Sequence, residues 1–222
     1  MATARGRRAF SLAFRPARRG SRQTERFSWN HNSAYYPWVA KAALARQPAV
    51  LDVGCGDGSL LAALAPFCCN IIGIDSAPAA VKKAWPRTVA AVNASVVKGD
   101  FLAHDFAGKR FHLICFVASL HHMEAKSALD KAKGLLQPGG ELRIVALAAN
   151  GRLGDWLLDM LTWPLARLMG LLKGESQDPA MRTARPTQTH AELRRTVKAM
   201  LPGCHVRRGL YYRDLIRWTK PE

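Results

Sequence analysis

Three glycines and an aspartate form the segment of this chain whose spacing most clearly favours ligand binding. The run from Val50 to Gly58 reads Val-Leu-Asp-Val-Gly-Cys-Gly-Asp-Gly, between an apolar segment that predicts a strand and a segment that predicts a helix. Glycines here let the backbone turn sharply and approach a ligand without a Cβ in the way. The first turn of the following helix adds free N–H groups and the positive end of the helix dipole. The spacing predicts a binding loop at the carboxyl end of a strand.

The acidic residue before the glycines separates this loop from a dinucleotide-binding loop. Nicotinamide- and flavin-binding folds typically use G-x-G-x-x-G/A, in which the start of the helix receives a pyrophosphate. Here the pattern is D-x-G-x-G-x-G, with Asp52 two positions before Gly54. A carboxylate at this point repels an anion and attracts a cation. The loop is therefore expected to bind the positively charged end of a ligand, and a nicotinamide-dependent oxidoreductase is disfavoured.

Further acids follow the next two predicted strands. Asp75 follows the strand at 71–74, and Asp100 follows the strand at 95–98 and precedes Phe101. A carboxylate in the first position can accept hydrogen bonds from both hydroxyls of a ribose. One in the second position can accept the amino group of an adenine while the phenyl ring packs on the base. Because ligands of such folds bind at the carboxyl ends of the strands, the acids are expected at one edge of the sheet.

The elements that would position these residues alternate between strands and helices. Five strands are predicted, over 49–53, 71–74, 95–98, 112–116 and 141–148, and the helices between and before them cover 34–46, 59–64, 78–85 and 126–135. A capping box at Thr189 and Glu192 begins a helix that runs to Met200. The segments that follow predict a terminal hairpin, 205–210 and 212–219. Continuous apolar strands separated by helices indicate an α/β fold, a doubly wound, mostly parallel, seven-stranded (Rossmann-like) sheet with an antiparallel C-terminal strand.

Residues 48–148 resemble the class I S-adenosyl-L-methionine (SAM)-dependent methyltransferases, particularly the small-molecule type that includes the ubiquinone and menaquinone biosynthesis enzymes. The loop and the acids carry the resemblance, together with two further runs, Ala118-Ser-Leu-His-His-Met123 and Leu135-Leu-Gln-Pro-Gly-Gly-Glu-Leu142. It implies SAM as cofactor, no metal, and in-line transfer of the methyl group to a small-molecule acceptor. The cofactor-binding residues it implies are Asp52, Gly54, Cys55, Gly56, Asp75, Ser76, Asp100, Phe101 and Val117.

One residue departs from the family pattern. His112 stands at the start of the fourth strand, where the family usually has an aspartate. Because that end of the strand is far from the cofactor edge, we expect a structural effect only.

Two histidines follow the predicted fourth strand. His121 and His122 are the candidate catalytic residues, because a histidine can take up a proton near neutral pH. One of them would act as a general base or orient the nucleophile near the methyl group. The alternative is that they pack beneath the cofactor or hydrogen-bond the backbone, and the sequence leaves both interpretations open.

The segments before and after the resemblance are expected to contact the acceptor. His31, Tyr35 and Tyr36 lie in an aromatic and polar cluster before the first strand, and they are candidates for substrate or lid contacts. Packing of their helix onto the sheet is the alternative. Residues 149–190 are interpreted as a lid or substrate insertion whose Leu- and Trp-rich part, 153–172, covers an apolar acceptor. Two acids in that part disfavour a membrane-surface helix.

The acceptor is predicted to be a small molecule, apolar or anionic. The net charge of +17 favours anionic partners in general, but the arginines concentrate at the two ends of the chain, away from the motifs. The D/N-P-P-Y/F run typical of enzymes that methylate base amino groups is absent, since 117–122 contains neither the prolines nor the aromatic residue. The alternatives are an RNA or protein methyltransferase, and a non-catalytic SAM- or nucleic-acid-binding protein.

Length and composition complete the prediction. The 222 residues suit a methyltransferase domain over 27–222 preceded by a flexible basic tail over 1–26. No stretch reaches the roughly 18–20 apolar residues that a transmembrane helix needs. The five cysteines show no C-x-x-C pair and no metal spacing, which favours reduced thiols and a cytoplasmic location. An Arg-rich N-terminus leaves a mitochondrial transit peptide as the alternative.

Overall fold

The computed structural model describes residues 31–44, 47–89, 91–151, 186–209 and 213–222, together with Met160, Pro164 and Arg167. A 3₁₀ turn precedes the first helix, and two more follow the second helix and the fourth strand. The strands are β1 (Ala49–Val53), β2 (Asn70–Asp75), β3 (Ala94–Lys98), β4 (Phe111–Val117), β5 (Leu136–Leu147), β6 (His205–Arg208) and β7 (Arg213–Thr219). The helices are α1 (Tyr36–Ala40), α2 (Ser59–Leu64), α3 (Pro78–Val89), α4 (Ala125–Leu135) and α5 (His190–Met200).

The strands form one seven-stranded sheet in the order β3-β2-β1-β4-β5-β7-β6. Strands β1 to β5 pair in parallel, whereas β7 runs antiparallel to both of its neighbours. The predicted fold class is therefore confirmed, including the terminal hairpin. Because the chain order reverses between β1 and β4, a crevice opens outside the carboxyl ends of these two strands, where open α/β sheets bind their ligands.

Helices cover both faces of the sheet, which explains the continuous apolar strands. On one face, Leu129 of α4 and Val197 of α5 join a core cluster with the central strands. On the other, Val39 of α1 and Leu61 of α2 do the same. The sheet is thus held from both sides, and its carboxyl edge stays fixed in position.

Several element boundaries differ from the sequence prediction. The predicted helix 34–46 is a 3₁₀ turn over Ser33–Tyr35 followed by the short helix α1, and turns follow over residues 41–44. Helix α3 continues four residues beyond the predicted end and includes Pro86. The Gln-Pro-Gly-Gly run, which lies between the predicted helix 126–135 and the predicted strand 141–148, is part of β5, where Gly139 has a φ of +69°. The ladder to β4 shifts its register there, so a bulge accommodates the glycines within the strand.

The amino ends of β1 and β4 are joined through His112. Its Nδ1 atom accepts a hydrogen bond of 3.1 Å from the N–H of Ala49. This contact lies at the edge opposite the glycine loop, as expected for a structural role.

The predicted lid segment is described only near its ends. The N–H of Ala149 donates to the carbonyl of Gln188 at 2.8 Å, and the N–H of His190 donates to the carbonyl of Ala149 at 3.3 Å. Most of the predicted helix 151–172 and loop 174–186, and all of the tail 1–26, lie outside the described residues. In the part of the chain that the structure describes, no helix is long and apolar enough to cross a bilayer.

Candidate cofactor site

The glycine loop turns over the end of β2. The N–H groups of Gly54 and Cys55 both donate to the carbonyl of Ile74, at 2.8 and 3.2 Å. Gly54, Gly56 and Gly58 have φ values of +71°, +56° and +75°, a region that residues with a side chain rarely adopt. The three glycines predicted from the sequence are therefore required by the backbone of the loop.

A second reason for glycine at position 54 is the close approach of the β4 end. A Cβ on Gly54 would collide with the side chain of Ser119. The Ser119 hydroxyl donates a 2.5 Å hydrogen bond to the carbonyl of Val53, and the residue is 5% exposed. Ser119 is not among the residues predicted to bind the cofactor. Its position in the run after the fourth strand, next to the positive-φ residue Ala118, is a signal that could have identified it.

Asp75 lies at the end of β2, and hydrogen bonds from the backbone hold both of its carboxylate oxygens in place. Oδ2 accepts from the N–H of Gly56 and Oδ1 from the N–H of Ala77, each at 2.9 Å. A carboxylate oxygen has two acceptor positions, so one position on each oxygen remains. The side chain is half-buried. The structure therefore brings Asp75 and the glycine loop together, as the sequence predicted for neighbouring strand ends.

Asp52 is buried beneath the same loop, with 2% of its surface exposed. Its pKa is raised from 3.8 to about 8, mostly by burial and in smaller part by the nearby carboxylates of Asp75 and Asp57. A cation close to this side chain would favour the ionised form. The environment therefore suits the positively charged end of a ligand, as the sequence pattern indicated.

We expect Asp52→Asn to stabilise the free protein more strongly at high pH than at low pH. The folded state binds the Asp52 proton more tightly than the unfolded chain, because the folded pKa is about 8 and the ordinary value is 3.8. The free energy of unfolding of the wild type therefore falls between about pH 4 and about pH 8, and asparagine removes this contribution. Urea unfolding of both proteins without cofactor, at about pH 5 and about pH 8, measures the difference. If Asp52→Asn changed the free energy of unfolding by the same amount at both pH values, Asp52 would not be a buried carboxylate with a raised pKa.

Another pair that sequence analysis missed ties the loop to α3. Asp57 forms an ion pair of 2.9 Å with Arg87, which also donates to the Asp57 carbonyl at 2.6 Å. The other carboxylate oxygen accepts from the N–H of Ser59 at 3.1 Å. Because Arg87 lies 30 positions later, no local pattern could have revealed this contact.

The side chains of the remaining predicted cofactor residues differ in how accessible they are to a ligand. The side chain of Cys55 points into the protein, because its Sγ lies 2.8 Å from the position that a Cβ on Gly73 would take. Burial raises the pKa of its thiol. Cys55 therefore offers a ligand its backbone rather than its side chain. Ser76 is exposed after β2, and Val117 is half-buried at the end of β4. Asp100 is exposed, and its Oδ1 accepts from the N–H of Leu102 at 2.8 Å.

The ring of Phe101 packs into the core. The side chain is 3% exposed and lies edge-on to Phe116, with 5.6 Å between the ring centroids. The ammonium of Lys131 lies over it at 5.5 Å. Little ring area is therefore left for a base, and stacking of Phe101 on adenine stays a prediction.

The two tyrosines before β1 point to different places. Tyr36 is buried near the glycine loop; burial raises its pKa, and the carboxylates of Asp57 and Asp52 raise it further. Tyr35 is buried, and its hydroxyl packs against Gly209, the residue after β6, where an added Cβ would lie only 2.7 Å from the hydroxyl oxygen. His31 is half-buried at the start of this segment. Of the three, only Tyr36 is placed beside the glycine loop by these contacts.

His121 and His122 lie in the turn after β4, with their ring centroids 4.0 Å apart. His121 lines a cavity of about 200 Å³ at the carboxyl edge, and His122 is exposed. The other lining residues are both apolar and polar. They come from the turn after β4, the start of α4, the end of β5, the segment before α5 and α5 itself: Leu120, Met123, Glu124, Ala125, Ala146, Leu147, Pro186, Thr187, Gln188 and Leu193. This cavity is separate from the glycine loop but lies at the same edge of the sheet.

Comparison with known proteins gives a consistent family. The model of a methyltransferase domain matches residues 50–140, which include the glycine loop and both acids after the strands. An uncharacterized methyltransferase of Mycobacterium tuberculosis is 32% identical over 196 residues, which cover 87% of this chain and 98% of that protein. The chain belongs to the class I SAM-dependent methyltransferases. It is also similar to the ubiquinone biosynthesis O-methyltransferase of Pseudomonas aeruginosa, with 26% identity over 55% of this chain and 58% of that one.

Solved structures show the same fold as this methyltransferase. The N-methyltransferase NodS from Bradyrhizobium japonicum, in complex with S-adenosyl-L-homocysteine (SAH), superposes with a TM-score of 0.59 at 22% identity, covering 87% of this chain and 89% of NodS. A SAM-dependent methyltransferase from Aquifex aeolicus gives a TM-score of 0.55 at 18% identity, covering 83% and 88%. The predicted family, enzyme class and cofactor are thus confirmed.

Proposed function

We propose that this methyltransferase transfers the methyl group of SAM to a small-molecule acceptor by in-line displacement. The observation that carries the proposal is the pair of carboxylates, Asp52 and Asp75, held against a glycine loop at the carboxyl edge of β1 and β2. Asp75 is oriented to accept hydrogen bonds from the ribose, and the cationic end of SAM would favour the ionised form of the buried Asp52.

The cofactor would extend across the ends of β1, β2 and β3. Asp52 would face the methionine end, where Gly54, Cys55 and Gly56 approach with their backbone. Asp75 would accept from the ribose hydroxyls, with Ser76 beside it. Asp100 and Phe101 would border the adenine, and Val117 would lie beneath it. The collision that a Cβ on Gly54 would cause with Ser119 supports a tightly packed end of this site.

When bound, SAM supplies an electrophilic methyl group, so the protein mainly has to align the acceptor and exclude water. The cavity beside His121 lies next to the cofactor edge and is large enough for a small acceptor. His121 or His122 would orient the nucleophile there or take up its proton. Tyr36 would close the methionine end, and Tyr35, His31 and the segment 149–190 would form the outer wall or lid.

Three features support the choice of acceptor and compartment. Apolar side chains such as Leu120, Met123 and Leu193 line part of the cavity, which is compatible with an apolar small molecule. The Pseudomonas relative is named for ubiquinone biosynthesis, a pathway with a small-molecule acceptor. All five cysteines are free thiols, which fits a cytoplasmic enzyme.

Calorimetric titration of the full chain with SAH, the reaction product, tests the proposal, with NADH as the control ligand. We expect saturable binding of SAH and none of NADH, because the loop provides a carboxylate where a pyrophosphate would have to sit. A folded protein that binds neither ligand would contradict the proposed function. Binding of NADH alone would return the site to the dinucleotide-binding class.

A further inference from the structure

An exposed apolar surface lies on the outer face of α3 and in the turn that follows it. Trp85 is 60% exposed, Val89 is 66% exposed, and Val92 is fully exposed. Trp85 and Val89 are four residues apart, so they are neighbours on one face of the helix, and Pro86 is exposed beside them. We call Trp85, Pro86, Val89 and Val92 the α3 patch. A contiguous exposed apolar surface of this kind marks an interaction site more often than a single exposed side chain does.

The packing of α3 on the sheet does not account for the α3 patch. The helix contacts β2, β3 and α2, and its buried residues are the small side chains Ala80, Ala84 and Thr88. Trp85 and Val89 belong to neither of the two core clusters. The outer face of a surface helix is normally polar, so folding explains the inner face of α3 but not the apolar residues on its outer face.

The charges in the same part of the chain are positive. Residues 76–99 contain four lysines or arginines and no aspartate or glutamate. Lys82 is exposed and lies one turn before Trp85 on the same face of the helix. Arg87 forms an ion pair with Asp57 at the glycine loop, so its charge is already balanced. The surface around the α3 patch is therefore complementary to an anionic partner.

The α3 patch lies towards the edge of the sheet opposite the glycine loop. Helix α3 begins after the carboxyl end of β2 and ends before the amino end of β3, and the patch is in its second half and in the turn beyond it. Lys109 and Arg110 are exposed directly before the amino end of β4. In the sheet, β4 is three strands away from β3, or about 14 Å. A flat anionic surface at this edge can contact the patch and these cations while the cofactor edge stays open.

An anionic lipid surface fits these observations better than a second copy of the chain or a nucleic acid. A two-fold dimer contact would place the α3 patch against itself, and Lys82 would approach the same lysine of the other copy. Single-stranded nucleic acids use cations and stacking rings, but Val89 and Val92 cannot stack on bases. Tryptophan is enriched at the membrane–water interface, aliphatic side chains enter the acyl region, and lysines attract anionic headgroups.

We propose that the α3 patch and Lys82 dock this methyltransferase on a membrane surface that contains anionic lipids, with the cofactor edge facing the water. The inference does not depend on the proposed acceptor or on the proposed contacts of the cofactor. An apolar side chain that leaves water raises the partition coefficient by about 10-fold, and a lysine at an anionic surface raises it by about five-fold. A few such contacts give reversible attachment to the surface.

Co-sedimentation of the full chain with vesicles tests the inference. The vesicles contain equal parts of phosphatidylcholine and phosphatidylglycerol, or phosphatidylcholine alone as the neutral control. We expect binding to the anionic vesicles, and a partition coefficient that is lower by about 10-fold or more in the double variant Trp85→Gln/Val89→Gln. Circular dichroism checks that the variants are folded. The arginine-rich ends of the chain also attract anionic lipids, so the differences between wild type and variants carry the test.

Lys82→Glu and Lys126→Glu form a matched pair for the charge. Both remove an exposed lysine from a helix and change the net charge equally, but Lys126 lies at the start of α4, at the carboxyl edge. We expect Lys82→Glu to lower the partition coefficient on anionic vesicles by about five-fold or more. Lys126→Glu is expected to have a smaller effect, because a charge beyond the Debye length from the lipid surface is screened.

Fluorescence quenching locates the side chain of Trp85 in the bilayer. Lipids with brominated acyl chains quench a tryptophan that enters the acyl region, and Trp85→Phe identifies the share of one residue among the six tryptophans. We expect the brominated anionic vesicles to quench the wild type and to quench Trp85→Phe much less. SAH titration with and without anionic vesicles is expected to give the same affinity, because the cofactor edge faces the water.

Several results would overturn the inference. They are equal binding to neutral and anionic vesicles, equal partition of the wild type and Trp85→Gln/Val89→Gln, equal losses in the two lysine variants, quenching that Trp85→Phe leaves unchanged, and SAH binding that the vesicles weaken. A lipid-free dimer that Trp85→Gln/Val89→Gln dissociates in sedimentation velocity would assign the α3 patch to a second copy instead. Absent SAH binding would contradict the proposed function, whereas partition and quenching alone would still decide this inference.

Discussion

Asp75→Ala is expected to lower the affinity for SAH by more than about 100-fold while leaving the protein folded. In the proposed complex the carboxylate accepts from two ribose hydroxyls, and hydrogen bonds to charged groups contribute about 1.5–3 kcal/mol each. The alanine also removes the acceptor of the Gly56 N–H, which is 2.9 Å from Oδ2, so the glycine loop loses one of its anchors. Calorimetric titration with SAH measures the affinity, and circular dichroism checks the fold.

Asp105→Ala is the matched control for this variant. Asp105 accepts the N–H of Ala107 two residues later at 2.8 Å, as Asp75 accepts that of Ala77 at 2.9 Å. Asp105 is exposed in the segment between β3 and β4, and among the described residues no hydrogen bond joins it to the glycine loop. The control removes the same local turn contact without touching the site, so SAH affinity should stay at the wild-type value. An unchanged affinity in Asp75→Ala as well would remove the ribose assignment.

Gly54→Ala is expected to have the second largest effect, on both stability and SAH binding. The residue has a φ of +71°, and the added methyl group would collide with the Ser119 side chain. Backbone strain of about 1–2 kcal/mol and steric overpacking of about 1–3 kcal/mol together predict a loss of about 2–5 kcal/mol in the free energy of unfolding. The displaced Ser119 would also separate the ends of β1 and β4, where the methionine end of SAM is proposed to bind. Urea unfolding and SAH titration measure the two effects.

The variant Gly108→Ala distinguishes the cost of backbone strain from the cost of the steric collision. Gly108 has nearly the same φ, +73°, but a Cβ there would meet nothing within 4 Å. Only the backbone strain remains, so a loss of about 1–2 kcal/mol and unchanged SAH affinity are expected. If Gly54→Ala proved no more destabilising than Gly108→Ala, the close approach of Ser119 would not be a constraint on the loop.

The parts of the fold that local chemistry determines could be predicted from the sequence. Continuous apolar strands and the glycine spacing predicted the parallel sheet and the loop at the end of β1. The acids Asp52 and Asp75 could be placed together because strands that are parallel neighbours end at the same edge. The capping box at Thr189 and Glu192 predicted the start of α5 and is present in the structure.

The parts that depend on contacts between distant residues could not be predicted. The tether between Asp57 and Arg87 joins positions 30 residues apart, and the hydrogen bond from Ser119 to Val53 joins positions 66 apart. The burial of Phe101 against Phe116 follows from the packing of the loop after β3, which no periodicity describes. His190 was read only as the first residue of a helix, because its partner Asp214 follows 24 residues later on another strand.

Because Ala149 is hydrogen-bonded to Gln188 and His190, the predicted lid segment begins and ends at neighbouring positions beside the sheet. The two ends of the segment are thus held next to each other by hydrogen bonds. The entropy cost of closing a loop rises only slowly with its length, so a change in length costs little free energy. We therefore expect insertions and deletions within residues 152–185 to leave the strands and the glycine loop intact. In the proposed function this segment borders the acceptor, so exchanging it would change which acceptor is methylated while SAH binding by the glycine loop stays the same.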